Sequence, residues 1–283
     1  MERSLTNKLL ILTYFFLSLY CLGSIQKESK IPFKVQPQKL QMDFFKFIII
    51  MQIADKYLDL ENFYINILFN HGECLEGFIS SYGFAALIYN VETGSYILFD
   101  TGSDGIILLQ NLNQAGIEVT DISKVVISHN HPEHTKGLES IYRKNSDLEI
   151  YVPVENQITY NRKYPLSKVY GVIEETEIEK NIYLSGQLGN YLKEQAMLLK
   201  TREEKGILLV GCCHPGFNEI FNAFTNRGNI EAIIGGFHNT RVFSALDSLK
   251  FIGACHCTKY ADILKVKYPE KCHEIKVGEE ILF

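Results

Sequence analysis

The stretch Lys124–Gly137, KVVISHNHPEHTKG, holds the side chains best suited to chemistry. His129, His131, Glu133 and His134 put four ligand-type groups within six residues, and three of the chain's eight histidines lie here. Imidazole and carboxylate are donors that a borderline-soft divalent ion accepts, so the chemistry implied is metal binding. Such an ion can stabilise charge on a leaving group or make water a usable nucleophile near neutrality. The plain alternative is an exposed polar loop.

The elements that would position these residues can be read around them. Val125, Val126 and Ile127 form a β-branched run that reads as a buried strand, ended by Ser128. On extended backbone His129 and His131, two residues apart, project to one side. Pro132 suits the first turn of a helix, from which Glu133 and His134 point back at the strand end. A second stretch repeats this layout. Gly206–Val210 reads as a strand leading into Gly211-Cys212-Cys213-His214-Pro215-Gly216, with a helix expected over 218–225. His214 is thus the natural third ligand for the site that His129 and His131 begin.

Two more strands end in candidate donors. Ile230–Ile234 leads to Gly235-Gly236-Phe237-His238, and Phe251–Ala254 to Cys255-His256-Cys257-Thr258. His256 fits a second position beside Glu133 and His134. A structural zinc site built from the CCH and CHC thiolates is the alternative. Strand alternation argues against it, since Cys212 and Cys213 would face opposite ways and Cys255 and Cys257 would point away from His256.

Elsewhere, 62–69, 84–89, 95–99, 149–153 and 197–200 are strand-like, and Asp104 opens an amphipathic helix ended by Gly116. Asn161-Arg162-Lys163-Tyr164 is a small basic cluster, read as a solvated loop that could meet a phosphate. Glu174–Lys180 reads as an acidic surface run. His71, in Asn70-His71-Gly72, reads as a turn residue. A meander, then a helix, then a strand fits an α/β sandwich with helices outside.

HNHPEH resembles the HxHxDH signature of the metallo-β-lactamase superfamily, with Glu133 in place of the aspartate. Asp100, in YILFDTG, stands 29 residues before His129, where the superfamily has an aspartate beside its metal centre. A carboxylate there can hold a ligand loop from behind. YGFAALI, FDTG, SHNHPEHTKG, EQA, GCCHPG, GGFH and CHCT follow in an order similar to the branch named for 7,8-dihydropterin-6-yl-methyl-4-(β-D-ribofuranosyl)aminobenzene 5′-phosphate synthase. In that branch a histidine usually stands where Tyr82 is.

The resemblance covers roughly residues 60–283 and implies an αββα sandwich, two mixed β-sheets face to face with outer helices. It implies one or two divalent ions, zinc first, with manganese, iron or magnesium as alternatives. One ion would take His129, His131 and His214, the other Glu133, His134 and His256. Glu133 would also serve as a base, and His238 would act in the pocket as ligand or donor. Arg241, Arg162 and Lys163 would bind substrate. The activity implied is transfer with loss of pyrophosphate. Hydrolysis of a small phosphorylated or ester substrate is a second expectation, and a non-catalytic metal- or ligand-binding module a third.

Bulk properties set the frame. A chain of 283 residues, 46% hydrophobic and 22% charged, can bury one large core. Its net charge of −5 gives no sequence-wide basic surface, so nucleic acid is not an expected partner. Between Lys8 and Lys27 lie 18 uncharged residues. The expectation is a signal peptide or membrane anchor over 1–25, a linker over 26–41 and one domain over 42–283. Export or anchoring follows, or a cytoplasmic protein if translation starts at Met42 or Met51. The close spacing of most of the seven cysteines does not look like a disulfide framework.

Overall fold

A computed structural model describes residues 62–283. The leader over 1–25, the linker over 26–41 and the start sites Met42 and Met51 lie outside the described residues. Among the described residues, no helix is long and apolar enough to cross a membrane.

The first sheet is built by β1 (Phe63–Phe69), β2 (Ala85–Asn90), β3 (Ser95–Phe99), β4 (Ile122–Val126), β5 (Glu149–Pro153) and β6 (Lys168–Val172). The second holds β7 (Thr176–Glu179), β8 (Ile182–Leu184), β9 (Met197–Lys200), β10 (Lys205–Val210), β11 (Asn229–Gly236), β12 (Phe251–Cys255) and β13 (Cys272–Glu274). The last strand, β14 (Glu280–Leu282), returns to the first sheet and pairs antiparallel with β1. Among the described residues each sheet therefore has seven strands. Each also changes character midway. β1 to β3 pair antiparallel and β3 to β6 parallel, while β7 to β10 pair antiparallel and β10 to β13 parallel.

The sequence explains this layering. In the central parallel strands successive residues serve different cores. Val126, Ile97 and Phe99 meet Ile207, Leu209 and Ile234 between the sheets. Val125 and Leu98 pack outward against Leu108, Leu112, Leu138 and Ile141. Those last residues belong to helices α1 (Gly105–Gln114) and α3 (Leu138–Lys144), with α2 (Pro132–Thr135) between them in the chain. Strands buried on both faces read as unbroken apolar runs, which is why 125–127 and 206–210 stood out. On the other side Leu208 and Val210 pack against Phe217 and Ile220 of α5 (Phe217–Ala223) and Leu264 of α6 (Ala261–Lys267). The observed fold is the αββα sandwich.

Local signals worked where chemistry fixed them. Asp104 caps α1 by accepting from the backbone N–H groups of Ile106 and Ile107 at 2.7 and 3.2 Å. Pro132 occupies the first turn of α2. Two readings change. Arg162 and Lys163 end a helix, α4 (Gln157–Lys163), not a loop, because Tyr160 and Tyr164 anchor that segment in the outer core. The acidic run contains edge strand β7, and its Glu179 carboxylate is only 10% exposed. It accepts from Asn90, Thr93 and Ser95 and pairs with Lys124 at 3.0 Å. Acidic composition hid a side chain that ties the two sheets together.

Candidate metal centre

The carboxyl ends of the parallel strands of both sheets meet at one rim, where open α/β sheets usually carry their ligands. β3 delivers Asp100, β4 the His129–His134 loop, β10 the Cys212–His214 loop, β11 His238 and β12 His256. The donor atoms of His129, His131 and His214 lie within 4.8 Å of one another, as do those of Glu133, His134 and His256. The structure thus brings together both sets that the sequence singled out. His129 Nε2 is 3.1 Å from His131 Nδ1.

Asp100, fully buried, braces two histidines at once. Its Oδ1 accepts from the Ser128 backbone N–H at 2.7 Å. Its Oδ2 accepts from Ser128 Oγ and His134 Nδ1, each at 2.7 Å. Ser128 spends its one proton on Asp100, so it accepts from His129 Nδ1 at 2.9 Å. Both rings therefore carry hydrogen on Nδ1, and both turn the Nε2 lone pair toward the site. The second loop is held differently. Glu194, also buried, accepts from the backbone N–H groups of Gly211, Cys212, Cys213 and His214 at 3.1, 2.9, 2.9 and 2.8 Å. Its neighbour Gln195 donates from its backbone to Ser128 O at 2.8 Å and from its side chain to Ile127 O at 2.9 Å. The pair Glu194-Gln195 thereby fixes both histidine loops. Gly211 allows their close approach, since a Cβ there would lie 2.1 Å from Ser128 Oγ.

Electrostatics suits a cation. Burial, then the neighbouring histidines, holds His129 well below its usual value. Burial, then His238, His131 and His134, lowers His214 to about 4. Burial, then His134 and His71, lowers His256 to about 3. These rings are neutral near pH 7 and can offer lone pairs. Burial opposes the charged form of His134 too, but the charge and hydrogen bond of Asp100 outweigh it and the net shift is upward. The test of fit is in the unpaired atoms. His214 Nε2 and both ring nitrogens of His256 are buried without a hydrogen-bond partner. Orphaned buried nitrogens are costly unless something else satisfies them. A divalent ion fits these residues.

A cavity of about 430 Å³ opens onto the cluster, lined by Tyr82, His131, Glu133, Cys212, His214, His238, Asn239, Cys257 and Lys259. His238 thus lies where substrate would enter. Arg162, Lys163 and Arg241 are exposed and do not line this cavity. Arg241 donates to Tyr260 Oη at 2.6 Å. The cation that does line it is Lys259. Tyr82, at the position where the sequence departs from its look-alikes, sits 4.7 Å ring to ring from His256.

Sequence reasoning missed the sulfurs. Cys257 was expected to point away from His256, yet their donor atoms and that of Cys212 lie within 4.8 Å of one another. Strand alternation does not apply, because β12 ends at Cys255 and His256 has φ +44°. Cys255 does face the inter-sheet core, and Cys213 packs in the outer core. Asp100, Cys213, His238 and His256 all adopt positive φ, a conformation rare for residues other than glycine and concentrated where function demands it. Asn70 was also missed. Its Oδ1 accepts from the His256 backbone N–H at 2.7 Å, so the turn read from Asn70-His71-Gly72 holds a site residue in place.

Residues 76–156 match the family model for the anti-Pycsar protein Apyc1. The chain is 26% identical over 231 residues to the uncharacterized protein MJ0448 of Methanocaldococcus jannaschii, covering 67% of this chain and 88% of that one. It is 26% identical over 269 residues to 7,8-dihydropterin-6-methyl-4-(β-D-ribofuranosyl)-aminobenzene-5′-phosphate synthase of the same organism, covering 73% and 91%. Among solved structures, the metallo-β-lactamase fold protein YhfI of Bacillus subtilis matches with TM-score 0.57 at 12% identity, over 78% of this chain and 99% of that one. A diphosphatase of the PhnP family matches with TM-score 0.56 at 12% identity, over 78% and 97%. With its paired seven-stranded sheets and a histidine cluster at their shared rim, this protein has the metallo-β-lactamase fold.

Proposed function

We propose that the protein is a metal-dependent hydrolase of a small phosphorylated substrate. The observation that carries this reading is the pair of adjoining donor sets opening into one cavity whose cationic lining residue is Lys259. His129, His131 and His214 would hold one ion, and His134 and His256, with Glu133 reaching in from the cavity side, would hold a second. Divalent ions there would supply Lewis acidity toward a phosphoryl oxygen and a water nucleophile usable near neutrality.

The chain's own residues do the rest. Lys259 and Asn239 orient the phosphoryl group at the mouth. Glu133 lines the cavity beside His131, and the oxygen it does not give to the ion would take a proton from the attacking group. Burial, then the charge of Glu133, raises the Tyr82 hydroxyl above its usual value, so it remains a proton donor toward a leaving oxygen. One cavity of this size accommodates one small substrate with water. The test is turnover of a panel of phosphomonoesters, phosphodiesters and diphosphates before and after chelation. Activity should vanish with the metal, return on adding it back, and be absent from His214→Ala. Turnover that ignores the chelator would refute the reading.

A second reading, transfer with loss of pyrophosphate, is favoured by the 26% identity to the synthase over 73% of this chain. Pyrophosphate release that requires an added aryl amine would select transfer. Turnover without an acceptor would select hydrolysis.

A further inference from the structure

Two sulfur atoms sit where the histidine sets meet, and the function proposed above gives them no task. Cys212 Sγ lies 3.2 Å from His134 Nε2 and 3.2 Å from Cys257 Sγ. It falls within ligand reach of His129 and His134 on one side and of His256 and Cys257 on the other. All six cysteines among the described residues are free thiols, and 3.2 Å is far longer than the ~2.05 Å of a disulfide. Packing does not account for this placement. The packing thiols are Cys213, next in sequence to Cys212, and Cys255, two residues before Cys257, and each is turned into an apolar core. Positive φ at Cys213 and His256 accompanies that division, sending Cys212 and Cys257 to the rim. His256, only 3% exposed, leaves both ring nitrogens buried without a partner, and one of its nitrogens lies within ligand reach of Cys212 and Cys257.

We propose that Cys212 and Cys257 supply thiolates to the second ion, alongside His256. The proposal rests on the metal-dependent reading above and specifies the second position. Two sulfurs and an imidazole nitrogen would be a donor set that zinc favours, and soft thiolates disfavour magnesium and manganese. Each thiol gives up its proton to solvent on binding, so loading releases acid. Glu133, half-buried at the cavity wall, is then left to face substrate.

The experiment is replacement of the native ion by cobalt(II) in the full-length protein. The expected spectrum combines visible d–d bands with an intense thiolate-to-cobalt charge-transfer band in the near ultraviolet. Cys212→Ser and Cys257→Ser should each weaken that band. Each should also cost more than the roughly 10–100-fold in affinity that follows loss of an outer hydrogen-bond partner. Cys74→Ser, at an exposed thiol, should leave it intact. Should either serine variant fold poorly, thiol titration of the parent is the second measurement: metal should shield two thiols that a chelator exposes. Visible bands without charge transfer, or equal thiol reactivity with and without metal, would overturn the thiolate assignment while leaving the metal centre standing. No bound cobalt would overturn both.

Discussion

The two sheets bring different donors to the same rim and hold them by different means. The first supplies His129, His131, Glu133 and His134 from one continuous loop, whose start is tied by main-chain contacts to Asp100 and Gln195 and whose imidazoles are braced from behind by the side chains of Asp100 and Ser128. The second supplies Cys212, His214, His238, His256 and Cys257 after three separate strands. There the brace acts on main chain, through the four N–H groups gathered by Glu194 and the Asn70 contact to His256. A side-chain brace sets tautomers and can fail without unfolding the loop. A main-chain brace sets the loop itself. Substitutions behind the first sheet should therefore cost metal affinity, and those behind the second should cost stability.

The sharpest way to break this comparison is Glu194→Ala. It orphans four backbone donors at once, three of them buried, and at about 1–3 kcal/mol for each buried unsatisfied group the loss is about 3 kcal/mol or more. Urea denaturation of apo protein measures it, and a loss below about 1 kcal/mol would show that the loop holds without its carboxylate. Asp100→Asn should act mainly on metal. An amide has one oxygen, so either its NH2 meets the Ser128 N–H donor or it faces His134 and forces the wrong tautomer. A 10–100-fold loss of zinc affinity, about 1.4–2.8 kcal/mol, is expected by competition with a chelating dye. Ser128→Ala touches His129 but leaves His134 on Asp100, so its loss should be smaller than that of Asp100→Asn in the same assay. An equal or larger loss would remove Asp100 as the shared brace.

The far rim sharpens the comparison, because there one side chain joins the sheets. Burial would raise the Glu179 carboxyl, but hydrogen bonds from Ser95, Thr93 and Lys124 and the lysine's charge hold it below 4.5. A carboxyl lowered on folding contributes stability that is complete above its unfolded value and is lost as pH falls through the folded one. Glu179→Gln should therefore cost about 1–2 kcal/mol near neutrality, and the gap should close as pH drops below about 4.5. A gap independent of pH would argue for packing alone.

What was legible in the sequence follows the same division. The first loop could be read because strand, proline and helix turn lie consecutively, so spacing alone fixes where His129, His131 and His134 point. Asp100 was placed by the resemblance, since it stands 29 residues before His129 where the superfamily has its aspartate. The second sheet was legible strand by strand but not at its ends. Alternation misdirected Cys257, since the turn at His256 leaves the strand's two-residue period behind. Glu194 has no local signature of its role, because its partners lie 17 to 20 residues away and are backbone groups. Lys259 and Asn239 reach the cavity from loops that carry no periodicity. The strands β8, β13 and β14 were not anticipated, because three residues are too few to show a period.

The left-handed turn at His238 has a price of its own. Holding an imidazole-bearing residue at φ +43° costs about 1 kcal/mol that glycine would not incur, and this residue is exposed, with little packing to forfeit. His238→Gly should melt slightly higher than its parent while capturing substrate less well. At that one position, durability and purpose pull against each other: the chain has kept the tenser option.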